Sequence, residues 1–212
     1  MEILDPQLQA YLDMHCDAEP EALRKINRET HVKQLKPNML SGHYQGRMLS
    51  MLSKLVQPKL ILEVGSFTGY ATICLAEGLA EGGKIHTIEA RAELEDTLRN
   101  NFAMAGIQDQ IELHIGDAKE VIFALTENIY DLSFIDADKK SNLAYFELII
   151  QKTRPGGLII IDNVLWKGKV YGDANDADTQ LFRKLNDAIA VNTQVEKLIL
   201  PVRDGVLVIR KK

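Results

Sequence analysis

The sequence predicts an α/β protein built on a mostly parallel sheet, and three observations predict it. From about Leu60 onward, short aliphatic runs alternate with helix-length segments, the pattern of parallel strands joined by crossover helices. A glycine-bearing loop follows the first of these runs, where such sheets bind ligands. Only Pro201 to Gly205 separates the last two runs, a connection too short for a parallel crossover, so the chain ends in a hairpin with one reversed strand.

Taken in order, residues from Asp5 to about Val56 read as charged helices. The strands follow as Leu60–Val64, Lys84–Glu89, Ile111–Ile115, Tyr130–Ile135, Leu158–Asp162, Val195–Leu200 and Val206–Arg210. Thr68 reads as the cap of a helix running to Leu79, Asp117 of Lys119–Glu127, and Asp138 of Lys139–Gln151. Gly82-Gly83 and Pro155-Gly156-Gly157 supply the stops. No repeat or linker divides the 212 residues. The expectation is one domain, with residues 1–57 as a helical extension and 58–212 as the α/β core.

Composition narrows the function classes. Hydrophobic residues make up 46% of the chain, enough for a full core, and the net charge of -5 does not mark a protein dedicated to nucleic acid. Cys16 and Cys74 match no zinc or redox spacing and read as two free thiols. No basic leader and no apolar run near the roughly 18 residues of a membrane span is found. A cytoplasmic protein is expected. His15, His31, His43, His86 and His114 show no ligand spacing, and His86 and His114, lying within strands, read as structural.

The loop Glu63-Val64-Gly65-Ser66-Phe67-Thr68-Gly69-Tyr70 is not the dinucleotide fingerprint, because three residues separate its glycines. Glu63 would repel a diphosphate and favour a cationic ligand. Glu89 closes the second strand, where an acidic residue accepts hydrogen bonds from ribose hydroxyls. A nucleoside with a positive, phosphate-free tail satisfies both carboxylates, and S-adenosylmethionine is such a nucleoside. The plainer reading makes the loop a tight turn and Glu89 a solvated strand end. The pairing of the two features favours a cofactor site.

Asp136, Asp162 and Asn163 end the fourth and fifth strands on the same edge. Three oxygen donors with two charges suit a hard divalent cation, Mg²⁺ or else Ca²⁺ or Mn²⁺. Helix capping is the competing role for Asp162, but two converging carboxylates repel unless a cation or a raised pKa relieves them.

At these residues the sequence resembles the cation-dependent O-methyltransferases, the group of the caffeoyl-CoA and catechol O-methyltransferases. The matching segments are Gln45-Gly46, Glu63 to Tyr70, Gly116-Asp117-Ala118, Phe134-Ile135-Asp136-Ala137-Asp138-Lys139, Asp162 to Gly168 and Leu200-Pro201-Val202-Arg203-Asp204-Gly205. The resemblance implies a class I S-adenosylmethionine-dependent methyltransferase (Rossmann-like) fold. Its sheet has seven strands, with the last inserted antiparallel between the fifth and sixth, and helices on both faces. It further implies that Asp136, Asp162 and Asn163 hold the cation and that Lys139 and Asp136 serve catalysis. Met39, Ser41, Glu63, Gly65, Ser66, Gly69, Glu89, Ala118 and Asp136 would line the cofactor. Lys139, expected in the first turn of a helix, would either take the phenol's proton or stay charged and stabilise the phenolate.

Trp166 to Asp178 reads as a mobile loop in which Trp166 and Tyr171 form an aromatic wall for a planar acceptor or, equally, Trp166 packs the loop onto the core. Arg24, Lys25, Arg28, Lys33 and Lys36 could meet the phosphates of a coenzyme A thioester or RNA, although such a run is more often a solvated face. The preferred function is a Mg²⁺-dependent O-methyltransferase of catechol or caffeoyl-CoA-like hydroxyls, with a homodimer implied by the resemblance. Competing readings are a tRNA hydroxyuridine methyltransferase of the same family, a nicotinamide-dependent oxidoreductase, and a non-catalytic S-adenosylmethionine-binding module.

Overall fold

In the computed structural model, which describes residues 6–125 and 129–212, seven strands form one sheet. They are β1 (Leu60–Val64), β2 (Lys84–Glu89), β3 (Ile111–Ile115), β4 (Tyr130–Ile135), β5 (Thr153–Ile161), β6 (Val195–Leu200) and β7 (Val206–Lys211). Their order is β3-β2-β1-β4-β5-β7-β6. The first five run parallel, and β7 runs antiparallel to both β5 and β6. The short Pro201–Gly205 connection makes β6 and β7 a hairpin, and the reversed strand lies between the fifth and sixth, as the resemblance implied.

Central strands of a parallel sheet are covered on both faces, so β1 is apolar throughout except for Glu63. Its alternate residues serve two cores. Ile61 packs with Leu23 and Ile26 of α2 (Glu21–Lys33), Leu49 of α3 (Gly42–Val56), Leu75 of α4 (Tyr70–Ala76) and Leu98 of α5 (Glu95–Met104). Leu62 and Val64 pack with Ile122 of α6 (Ala118–Ala124), Phe146 and Ile149 of α7 (Asn142–Gln151), and Phe182 and Leu185 of α8 (Ala177–Ala190). A short helix, α1 (Pro6–His15), precedes these.

The caps divide. Asp117 accepts from the backbone N–H groups of Lys119 and Glu120 and starts α6 as expected. The end expected for that helix, Glu127, lies outside the described residues. Thr68 does not cap α4. Its hydroxyl is buried and accepts from Thr30 at 3.0 Å, and Gly69 with φ +81° stands at the helix start. That helix ends at Ala76 instead of Leu79, because i→i−3 hydrogen bonds from Gly78 and Leu79 tighten the chain out of the helix. Asp138 holds a turn: it accepts from the Ser141 N–H at 3.0 Å and the Tyr145 hydroxyl at 2.7 Å, and α7 begins only at Asn142. Pro155-Gly156-Gly157 lies inside β5, where the β4 register shifts. Such an irregularity is where a sheet tolerates proline.

Register positions the site. Backbone bonds continue past the strand ends, from Gly116 N–H to Glu89 O, Gly65 N–H to Ile88 O, Asp136 N–H to Val64 O and Asp162 N–H to Ile135 O, all between 2.9 and 3.0 Å. The residues that follow β3, β2, β1, β4 and β5 are thereby set side by side along one edge.

Candidate active site

A cavity of about 880 Å³ opens along that edge, and Gly65, Glu89, Ala118, Asp136, Asp162 and Asn163 lie on its wall together with Met39. Gly65 has to be glycine: its φ is +97°, and a Cβ there would stand 2.0 Å from the Asp136 carbonyl oxygen. Five of the six non-glycine residues with positive φ among those described, Phe67, Asn163, Trp166, Lys167 and Arg203, sit in the loops around this edge. Strain of this kind persists where the surrounding structure holds it, often at binding sites.

Glu89 forms one end. One carboxylate oxygen accepts the Phe67 N–H at 2.8 Å, and the other accepts the Arg91 N–H and Nε at 3.1 and 3.0 Å. These contacts fix the carboxylate while leaving acceptor capacity toward the cavity, as a ribose diol requires.

Asp136 and Asp162 form the other end. Burial, reinforced for Asp136 by the neighbouring Asp162, pushes both carboxyls above their ordinary range. Two carboxyls so placed, beside Asn163 and with no cysteine or histidine among the described residues of the cavity wall, make an oxygen donor set that fits a hard divalent cation. Asp162 is held by two donors, the Gln45 side-chain amide at 2.8 Å and the Asn163 N–H at 2.7 Å. Arg203 in turn donates to Gln45 Oε1 at 3.0 Å, to Leu40 O at 2.9 Å and to Ser41 O. The β6–β7 loop, the segment before α3 and the Asp162 carboxylate are thus one hydrogen-bonded chain.

Other expected site residues lie behind the wall. Glu63 is fully buried beneath the glycine loop, where one oxygen accepts from the Thr72 and Thr87 hydroxyls. Its Oε1 has no hydrogen-bond partner among the described residues. Burial lifts its pKa to about 7 against the donors' opposing effect. Ser66 is buried against Thr87 at 2.5 Å, and Gly69 faces the Phe102 ring. Ser41 is buried and presents its carbonyl to Arg203. These residues shape the cavity from outside.

Lys139 stands in the turn before α7, not in the first turn of a helix. Its ammonium pairs with Asp178 and lies 4.4 Å from the centroid of the Trp166 ring. Trp166 stacks on Phe182 of the core at 4.9 Å, so of its two expected roles the structure displays the packing one. Tyr171 is 78% exposed and off the cavity wall. In the segment expected to be a mobile loop, Trp166–Tyr171 is 3₁₀ structure broken at left-handed Lys167 and Gly168, and Arg183 donates to the carbonyls of Lys169, Val170 and Gly172. Of the basic run, Lys33 and Lys36 reach the cavity, while Arg24, Lys25 and Arg28 are exposed on α2.

Sequence reasoning missed the roles of Gln45, Arg203 and Asp178. The first two stand in motifs that were recognisable, but their partners are more than a hundred residues away. Asp178 had no local signal.

The O-methyltransferase family model matches residues 13–212. A catechol O-methyltransferase of Mycobacterium tuberculosis is 32% identical over 179 residues, 84% of this chain and 81% of the relative. Caffeoyl-CoA O-methyltransferase 2 of Populus trichocarpa is 32% identical over 205 residues, 91% and 83% of the two chains. Among solved structures, the Bacillus cereus O-methyltransferase in complex with SAH superposes with a TM-score of 0.89 at 31% identity, covering 97% of each chain. The TomG O-methyltransferase of Streptomyces achromogenes in complex with SAM gives 0.90 at 28% identity, covering 97% of this chain and 96% of its own.

Proposed function

Because this chain belongs to the O-methyltransferase family and is an S-adenosylmethionine-dependent enzyme of the catechol and caffeoyl-CoA type, we propose that it methylates one hydroxyl of a vicinal phenol held on a hard divalent cation. The observation that carries this reading is the division of one cavity between a fixed acceptor for ribose, Glu89, and an oxygen donor set, Asp136, Asp162 and Asn163.

In this reading Asp136, Asp162 and Asn163 hold the cation, with Mg²⁺ the first choice and Ca²⁺ or Mn²⁺ alternatives. Such an ion supplies Lewis acidity that lowers the pKa of a chelated phenol and fixes its direction. The chain's own work is alignment. Displacement at a methyl carbon needs oxygen, carbon and sulfur in line, so the rate depends on how firmly the two ends of the cavity hold their ligands. Glu89, Gly65 and Ala118 set the adenosyl end, and Met39 closes over it. Gln45 orients Asp162 at the other. In this reading Lys139, which pairs with Asp178 and Trp166 beside the cavity wall, turns from them to receive the phenolic proton or to stabilise the phenolate.

A homodimer and a cytoplasmic setting belong to the same proposal, the latter supported by the two free thiols, Cys16 and Cys74. Among the described residues no helix is long and apolar enough to cross a membrane. The testing experiment is transfer of a labelled methyl group to a panel of catechols, caffeoyl thioesters and undermodified tRNA. Labelled catechol or caffeoyl product supports the proposal. Label confined to tRNA redirects it to RNA.

A further inference from the structure

His86 and His114 are 28 residues apart in sequence, and only Glu112, two residues before His114 on β3, is a ligand type on the same face of either one's own strand. The sheet supplies what the sequence lacks. In the parallel pairing of β2 with β3, His86 stands opposite Glu112, and Ile88 stands opposite His114. The two-residue period of a strand therefore puts His86, Glu112 and His114 on one face. His86 Nδ1 lies 2.9 Å from His114 Nε2 and 3.5 Å from Glu112 Oε2. One ligand atom from each residue falls within 4.8 Å of the others.

We propose that His86, Glu112 and His114 form a second cation site, separate from the acidic one, which takes a borderline divalent transition ion of the Zn²⁺ class and clamps the edge strand β3 to β2. Two imidazoles and one carboxylate with a fourth position left to water is a known zinc donor set. Imidazole selects Zn²⁺, Ni²⁺ or Cu²⁺ over Mg²⁺, so the two sites differ in the ions they prefer. The geometry is close to that needed. Ligands at about 2.0–2.1 Å in a tetrahedron lie about 3.3 Å apart, so the Glu112–His86 distance already fits and the two rings need to separate by a few tenths of an ångström. The Glu112 carboxylate, within 4.8 Å of the His114 nitrogen, turns on its exposed side chain to complete the set. β3 is an edge strand, Glu112 is exposed and His114 is half-buried, which gives the rings room to turn and the ion a path in. His86 is buried, with its ring edge-on to Tyr130 at 6.0 Å, and supplies the fixed ligand.

Proton balance is simple. Burial lowers the pKa of both imidazoles against the opposing pull of Glu112, so near neutral pH each ring carries one N–H. The hydrogen that now lies between Nδ1 of His86 and Nε2 of His114 moves to the far nitrogen of its own ring, and both facing lone pairs become ligands.

The test is calorimetric titration of Zn²⁺ into the full chain, stripped with chelator and then supplied with excess Mg²⁺ to occupy the acidic site. Wild type, Glu112→Gln, His114→Gln and Asp162→Ala are compared, with Co²⁺ absorption as the readout of tetrahedral nitrogen and oxygen ligation. The inference predicts one Zn²⁺ bound at micromolar or better affinity by wild type and by Asp162→Ala, with a rise in Tm. It predicts at least about a tenfold loss in Glu112→Gln and His114→Gln. Glu112 is exposed, so its substitution leaves the fold intact if His114→Gln does not. Equal Zn²⁺ affinity in wild type and Glu112→Gln, no Zn²⁺ binding by wild type, or Zn²⁺ binding that Asp162→Ala abolishes overturns it and leaves an ordinary hydrogen-bonded histidine pair.

Discussion

Substitution of Gln45 by leucine tests whether the hydrogen-bonded chain behind Asp162 sets cation affinity. Leucine nearly preserves the side-chain volume but removes the amide that donates to Asp162 at 2.8 Å and the oxygen that accepts from Arg203 at 3.0 Å. A hydrogen bond to a charged group contributes about 1.5–3 kcal/mol. Arg203 keeps the Leu40 and Ser41 carbonyls as acceptors, so most of the loss falls on Asp162. An energy of that size corresponds to about 10- to 100-fold in affinity, the range typical when a partner that orients a metal ligand is removed. Titration of Mg²⁺ or Mn²⁺ into the protein with S-adenosylmethionine present should show that weakening, with cofactor affinity in the absence of metal changed much less. Unchanged cation affinity in a folded Gln45→Leu protein would refute the role given to Gln45.

Three further outcomes follow from the geometry. Glu89→Ala should weaken S-adenosylmethionine binding by about 1–3 kcal/mol, since ribose hydroxyls and the Phe67 N–H lose their acceptor, and calorimetry showing equal affinity would remove Glu89 from the site. Glu63, held near 7 by burial against 4.5 when unfolded, binds a proton in the native state between those values that the unfolded chain has released. Stability should therefore fall as pH rises from about 4.5 to 7. Glu63→Gln should flatten that profile, with a gain on the order of 3 kcal/mol above pH 7, and parallel Tm–pH curves for the two proteins would contradict it. Lys139→Ala should lower kcat about 10²- to 10⁴-fold while costing only about 1 kcal/mol of stability, because its contacts with Asp178 and Trp166 are partly exposed. Recovery with Lys139→Arg would mark a fixed charge, no recovery would mark a base, and full activity of the alanine variant would exclude both.

Strand positions and the closing hairpin were legible because they rest on periodicity and loop length, whereas the place of β7 between β5 and β6 was implied only by the family resemblance. Leu60–Val64 and Lys84–Glu89 read the same in sequence and structure, and five residues between Leu200 and Val206 admitted only a hairpin. The acidic strand ends were legible for the same reason, since parallel register alone brings Glu89, Asp136 and Asp162 to one edge. Local signals misled where tertiary contacts compete for a side chain. Thr68 has a good capping residue type, but Thr30 of α2 takes its hydroxyl. Asp138 spends its oxygens on Ser141 and Tyr145, so Lys139 falls in a turn. Glu63 suits a cationic ligand by charge, yet Thr72 and Thr87 hold it under the loop. Gln45, Arg203 and the facing pair His86 and His114 owe their placement to contacts between distant segments, which no window of sequence contains. The family match sets aside the nicotinamide-dependent reading, against which the missing dinucleotide fingerprint already counted.

The central claim, that methyl transfer depends on a cation held by Asp136, Asp162 and Asn163, is tested most directly by one rate measurement. Labelled methyl transfer to a catechol acceptor is followed for chelator-stripped wild type and Asp162→Ala while Mg²⁺ is added back. The account predicts no turnover by wild type without the ion, saturable recovery as it returns, and no recovery by a folded Asp162→Ala protein. Full turnover by wild type in excess chelator, or wild-type recovery by Asp162→Ala, would contradict it.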